Sequence, residues 1–129
     1  MPRPTGKQFH MYLYHGTSAS HLPEIMESGL GSQEYDPRVY LTNDQALADW
    51  YAGHHEDPVV LKVRANPRRL RVDWNSFEEP VHHMTKNRDF DESKIKDPSK
   101  DWRNSLKQTG ATMHQGAIDA SDIIDIERL

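Results

Sequence analysis

The apolar residues of this chain come in short blocks whose spacing changes along the sequence, and this pattern constrains the fold most. Residues 11–15 alternate in the way of a β-strand and end in a His-Gly-Thr-Ser turn sequence. Helical spacing follows from Ser20, where Pro23 suits a first turn and Gly29 a C-terminal cap. We therefore expect a central strand followed by a short amphipathic helix.

The same alternation of elements continues through the middle of the chain. Residues 39–42 predict a strand, and Thr42 or Asn43 is expected to cap a second helix that ends at Gly53. One face of this helix should carry the apolar side chains of Ala46, Leu47, Trp50 and Tyr51. Residues 59–65 and 70–73 then read as two strands, which gives the order β-α-β-α-β-β.

The remaining segments carry weaker signals. Residues 1–10 predict a flexible start, and residues 74–104 a long polar insertion with isolated apolar side chains. Residues 105–118 and 120–129 predict a closing hairpin. At 129 residues, the whole chain (1–129) is expected to form a single domain.

Composition excludes several classes of function. The chain has no cysteine, which excludes disulfides, thiolate metal sites and a cysteine nucleophile. A net charge of −4 disfavours extensive binding to a phosphate backbone. A signal peptide or a membrane span would need a long apolar run, and none is present, so we expect a cytoplasmic protein.

Three segments concentrate residues that an ordinary core would not need: 14–18 (Tyr-His-Gly-Thr-Ser), 39–42 leading to Tyr51, and 114–118 (His-Gln-Gly-Ala-Ile). Together, and in this order, they resemble the ADP-ribosyltransferase superfamily of the His-Tyr-Glu type. That superfamily includes poly-ADP-ribose polymerases, rifampicin ADP-ribosyltransferases and RNA 2′-phosphotransferases. The resemblance implies an α+β fold, with a split β-sheet core and two short helices, and NAD+ as co-substrate.

The resemblance also implies roles for individual residues in binding NAD+. Two aromatic faces, from Tyr40 and Tyr51, would hold the nicotinamide ring by stacking. Gly16 would let the main chain approach the carboxamide. His15 would bond a ribose hydroxyl of the adenosine half, with Thr17 or Ser18 beside it. Taken singly, a histidine at a strand end is more often a solvated or capping residue, and lone tyrosines are more often core aromatics.

The third motif departs from the family's pattern. Its glutamate would begin a late strand, and Gln115 stands at the matching position. A carboxylate there would stabilise the positive charge that develops on the ribose, whereas an amide carries no charge. Asp119 is the nearest replacement, because Gln115, Ala117 and Asp119 would share one face of a continuous strand. The alternative for Gln115 is an exposed polar residue of a strand.

Two further groups have weaker interpretations. Arg64, Arg68, Arg69 and Arg71 fall within eight residues. They form a solvated face or, through Arg69 and Arg71 alternating on one strand face, pair with the pyrophosphate or with an acidic or nucleic-acid acceptor. Neighbouring histidines at 54–55 and 82–83 predict no metal site, because adjacent side chains point apart and no cysteine or spaced acidic set completes a tetrahedron.

The sequence is compatible with three functions. The first is an NAD+-dependent mono-ADP-ribosyltransferase whose acceptor is a protein, a nucleic acid or a small molecule. The second is removal of a 2′-phosphate from RNA through an ADP-ribosylated intermediate. Residues 59–63 and His15 resemble that family too, although its members have an additional N-terminal domain and several arginines before the His-Gly segment, where this chain has Arg3. The third is a silent module that binds NAD+ or ADP-ribose.

Overall fold

The fold was analysed in a computed structural model that describes residues 11–32, 37–74, 96–97 and 100–129. Strands and helices follow one another in an order that begins as the sequence predicts. They are β1 (Met11–Ser18), α1 (Leu22–Ser28), β2 (Arg38–Thr42), α2 (Gln45–Ala52), β3 (Pro58–Ala65), β4 (Leu70–Arg71), α3 (Trp102–Thr109), β5 (Ala111–Gln115) and β6 (Ile123–Arg128). The predicted α+β class is confirmed.

The strands form one antiparallel sheet in the order β4-β5-β2-β1-β3-β6. The predicted central position of β1 is confirmed. It pairs with β3 over its whole length, from Met11 opposite Ala65 to Ser18 opposite Pro58. The main core lies on the sheet face that carries Leu13, Leu41 and Leu61. On the other face, α2 packs its small residues against β1 and β3.

The first two helices form where the sequence predicts. In α1, Pro23 lies in the first turn and the Gly29 N–H bonds the Ile25 carbonyl. The N-terminal cap of α2 is Asp44, whose carboxylate accepts from the Ala46 N–H, and neither Thr42 nor Asn43 takes this place. The cap therefore lies one residue after the predicted pair, and Gly53 ends the helix as expected.

The buried face of α2 differs from the predicted one. Leu47, Ala48 and Ala52 are buried, whereas Tyr51 is exposed. Small side chains face the sheet because the helix lies too close to it for aromatic rings. The aromatic residues of α2 therefore do not form its contact with the sheet.

The closing hairpin was predicted wrongly. Residues Trp102–Thr109 form a third helix, and β5 and β6 lie in different halves of the sheet, paired with β2 and β4 and with β3 respectively. The strand predicted at 70–73 is also shorter, since β4 ends at Arg71. Predictions for residues 1–10 and most of the insertion lie outside the described residues. Within the described part of the chain, no helix is long and apolar enough to span a membrane.

Candidate functional site

The sheet is least tightly joined between its two middle strands. The described ladder between β1 and β2 consists of Tyr14 opposite Thr42, although β1 has eight residues and β2 has five. Past this pair, the His15 ring reaches across, and its Nδ1–H donates to the Tyr40 carbonyl at 2.8 Å. Side-chain bonding thus replaces part of the backbone ladder, and a cleft opens beside it.

This cleft has a volume of about 540 Å³ and is lined from three sides. β1 contributes Tyr14, His15 and Gly16, β2 contributes residues 40–42, and α2 with the turn after it contributes further aromatic and histidine side chains. The predicted residues His15, Gly16, Tyr40 and Tyr51 all line it. Residues from three separate segments of the sequence therefore meet at one place.

The geometry of His15 determines its tautomer. A carbonyl oxygen only accepts, so Nδ1 carries the proton in the bond to Tyr40, and Nε2 of the neutral ring has its lone pair free to accept. Burial lowers the pKa of His15, the Tyr40 bond opposes this effect, and nearby His55 adds to it. The ring is therefore neutral at pH 7 and suited to accept a bond from a hydroxyl.

Tyr40 and Tyr51 are not core residues. Their exposed fractions are 41% and 39%, which excludes the interpretation as ordinary buried aromatics. Tyr51 meets the Trp50 ring edge-on, with 5.2 Å between centroids, and the His54 ring lies 4.4 Å from Trp50. The cleft therefore has an aromatic wall formed largely by neighbouring residues of α2.

Gly16 has a structural role that the sequence did not indicate. A Cβ at this position would lie 2.5 Å from the Ala48 carbonyl oxygen and 2.7 Å from the Ala52 nitrogen. Only glycine lets the backbone of α2 approach β1 so closely. Close packing of α2 in turn holds Tyr51 at the cleft.

A second cavity of about 270 Å³ adjoins the first, and His15 lines both. Thr17 also lines it, and the Thr17 hydroxyl bonds Nδ1 of His21 at 3.1 Å. The turn at Gly29–Ser32 forms its far side, together with Arg38 and Val39. His15 therefore lies where two adjoining cavities meet.

Three predicted cofactor residues lie elsewhere. The Ser18 hydroxyl bonds the Glu56 carbonyl and Ser20, so it stabilises a turn and lines neither cavity. Arg69 belongs to a 3₁₀ turn and lines a separate cavity. The Arg71 guanidinium donates to the Arg68 and Leu70 carbonyls. The two arginines do not alternate on one strand face, because β4 begins only at Leu70.

The two residues of the third motif are also separated. Gln115 is exposed at the end of β5, opposite Arg38 and on the sheet face that carries Tyr40, but outside the lining of the cleft. Gly116, at φ +101°, then turns the chain, and Asp119 lines the separate cavity with Arg69. Residues 115–119 do not form the continuous strand that was predicted, and Asp119 does not share a face with Gln115.

Several lining residues were missed in the sequence. Asp73 is buried and, among the described residues that line the cleft, has the only carboxyl group. Its backbone N–H donates to the Ser105 hydroxyl, which connects it to α3. The available signal was an acidic residue at the end of the strand predicted at residues 70–73. Tyr14 and Trp50, each next to a predicted site residue, could have been inferred by their proximity.

Comparison with known proteins finds relatives named RNA 2′-phosphotransferase. No family model matches the chain. A protein of Shigella boydii serotype 18 named "Probable RNA 2′-phosphotransferase" is 43% identical over 62 residues, which are 46% of this chain and 32% of the relative. The "RNA 2′-phosphotransferase" of Escherichia coli K12 is 41% identical over 62 residues, again 46% of this chain and 32% of the relative. The chain therefore matches about a third of these relatives, which are named as transferases.

Proposed function

We propose that this chain binds NAD+ across the two adjoining cavities and transfers ADP-ribose to a 2′-phosphate of RNA. The observation that carries the proposal is the meeting of His15, Gly16, Tyr40 and Tyr51 at one cleft. The similarity to proteins named RNA 2′-phosphotransferase supports this acceptor over the broader mono-ADP-ribosyltransferase prediction.

The residues present fit NAD+ in size and chemistry. Aromatic rings on two sides suit a flat nicotinamide, and stacking contributes about 0.5 to 1.5 kcal/mol beyond the burial of area. The exposed faces of Tyr40 and Tyr51 provide this wall. Nε2 of His15, at the junction of the cavities, accepts a hydrogen bond from a ribose hydroxyl. Thr17 lines the second cavity with His15, on the side assigned to adenosine.

When bound, NAD+ supplies a ribose carbon whose bond to nicotinamide breaks while a phosphate oxygen of the RNA forms the new bond. Positive charge develops on the sugar at this point, and a carboxylate stabilises it. Gln115 has no charge, so we assign this electrostatic role to Asp73, the carboxyl group of the cleft.

A reaction with defined products tests the proposal. The protein is incubated with NAD+ and a short RNA that carries one internal 2′-phosphate, with the unphosphorylated RNA as the control. We expect nicotinamide release to depend on the 2′-phosphate, and mass spectrometry to detect the ADP-ribosylated RNA. If a ribose hydroxyl of the attached ADP-ribose then attacks the phosphorus and displaces the 2′-oxygen, the products are RNA with a 2′-hydroxyl and ADP-ribose that carries the phosphate.

Other results would favour the alternatives. Nicotinamide release without any change in the RNA would indicate transfer to another acceptor, as the mono-ADP-ribosyltransferase prediction has it. Binding of NAD+ without nicotinamide release, with or without RNA, would indicate a silent module and contradict the proposed reaction.

A further inference from the structure

A third cavity, of about 750 Å³, lies apart from the cleft and shares none of its lining residues. It is found where the 3₁₀ turn Pro67–Arg69 faces the start of α3 and the chain after β5. Four arginines and two aspartates line it, namely Arg64, Arg68, Arg69, Arg103, Asp119 and Asp122. This cavity is used by neither the cleft nor the proposed reaction.

The charges of the cavity do not cancel among its own residues. Arg64 is paired with Asp122 at 3.2 Å and also donates to the Ser121 carbonyl. Arg103 lies against the Trp102 ring at 4.3 Å. Among the described residues that line the cavity, this leaves three arginines against one further carboxylate, that of Asp119. Cations gathered in one concave site repel each other, and an anion bound between them relieves the repulsion.

Beneath these arginines lies a neutral group. His114 is buried, and its Nδ1–H donates to the Gly116 carbonyl at 2.8 Å. Burial lowers the pKa of His114, and the charges of Arg69 and Arg71 lower it further. A guanidinium nitrogen of Arg69 lies 3.5 Å from the place of a Cβ on Gly116. The Arg69 guanidinium thus lies next to a glycine, near an uncharged ring.

We propose that this cavity binds backbone phosphates of the RNA whose 2′-phosphate reacts in the cleft. The inference rests on the proposed function for the identity of the ligand. β4 is the edge strand, and its described ladder with β5 is two residues long. His114 lines the cavity, whereas Tyr40, on the opposite face of the sheet, lines the cleft, so an RNA strand bound at both places would have to pass around the sheet. Planar guanidinium groups suit phosphate oxygens, and the open cavity is larger than one phosphate needs.

Salt dependence gives the sharpest test. The affinity for a fluorescein-labelled single-stranded RNA, with and without one 2′-phosphate, is measured by anisotropy between 50 and 200 mM KCl in the absence of NAD+. Each phosphate contact to a single strand adds roughly 0.7 to the slope of log affinity against log salt, or about fivefold in affinity at ~0.1 M. The double variant Arg68→Gln/Arg69→Gln should therefore bind about 25-fold more weakly, with a slope lower by about 1.4.

Two control variants separate charge from structure. Arg128→Gln removes one charge at the opposite edge of the sheet and should stay within about twofold of the parent protein. Arg68→Lys/Arg69→Lys keeps both charges and should keep most of the affinity and the slope. Equal affinity and slope in the parent protein and the glutamine variant would overturn the inference. The assay contains no NAD+, so nicotinamide release can fail while arginine-dependent RNA binding stands, or the reverse.

Discussion

At the scale of single residues, the site depends on the protonation of His15. Its Nδ1–H is committed to the Tyr40 carbonyl, so only Nε2 is left to meet a ligand. The neutral ring accepts a bond there, and the protonated ring does not. Burial lowers the pKa of His15, so the accepting form is present throughout the neutral range.

This predicts how the affinity for NAD+ depends on pH. Because the pKa of His15 is lowered from its usual value of about 6.5, affinity should stay constant from about pH 8 to 6.5 and fall only at lower pH, as Nε2 gains a proton. Isothermal titration calorimetry at a series of pH values measures this affinity. His54 and His55 also line the cleft, so His15→Gln is the control and should bind weakly without this pH step. A midpoint above 6.5 would contradict the assignment.

A second prediction concerns the carboxylate that we propose to stabilise the charge on the ribose, that of Asp73. Asp73→Asn keeps the shape of the side chain but removes its charge, so it should lower the rate of nicotinamide release strongly, by about tenfold or more. NAD+ affinity should stay within a few-fold, because an interaction made mainly in the transition state is lost from the rate.

Gln115 provides the comparison for this prediction. Gln115→Ala changes an exposed residue outside the lining of the cleft and should lower the rate less than Asp73→Asn does. Gln115→Glu restores a carboxylate near the site and should raise hydrolysis of NAD+. If Gln115→Ala lowers the rate of nicotinamide release and Asp73→Asn does not, Gln115 has the role in catalysis that we assign to Asp73.

At the scale of elements, the contact of α2 with β1 gives the cleft its shape. The Cβ of an alanine at position 16 would overlap the backbone of Ala48 and Ala52, which cannot yield as a flexible side chain does. Gly16→Ala should therefore lower the free energy of unfolding by about 1 to 3 kcal/mol and weaken NAD+ binding as α2 moves with Tyr51. Urea denaturation and calorimetry measure the two effects. Gly53→Ala is the control, because a Cβ added there would lie 3.4 Å from its nearest neighbouring atoms. This variant should change stability and NAD+ affinity much less.

The elements also show what the sequence could predict. β1, α1, β2, α2 and β3 were found because their apolar residues follow the period of one element. α3 was missed because its buried face is largely polar: Ser105, Gln108 and Thr109 are buried beside Trp102 and Leu106. The Ser105 and Thr109 hydroxyls bond backbone carbonyls, which satisfies them inside the protein. Hydrophobic periodicity does not detect such a helix.

At the scale of the whole molecule, the sheet carries two different cavities at two different places. The aromatic cleft lies at the junction of its two middle strands, and the basic cavity lies by the β4 edge. His15, Gly16, Tyr40 and Tyr51 could be predicted because the segments that carry them resemble the motifs of a known superfamily in their order and spacing. The positions of Asp73, Arg69 and Asp119 depend on the short β4 and on the turn at Gly116, which no local pattern indicated.

The central claim is that the cleft binds the nicotinamide end of NAD+, and a calorimetric titration of NAD+ tests it most directly. We expect saturable binding that, at about a hundred times the dissociation constant, adds about 2.7 kcal/mol to stability and raises the melting temperature by several degrees. Tyr51→Phe should keep this binding and Tyr51→Ala should lose much of it, since the ring face makes the contact. Absence of binding by the parent protein, or equal binding by both variants and the parent, would contradict the account.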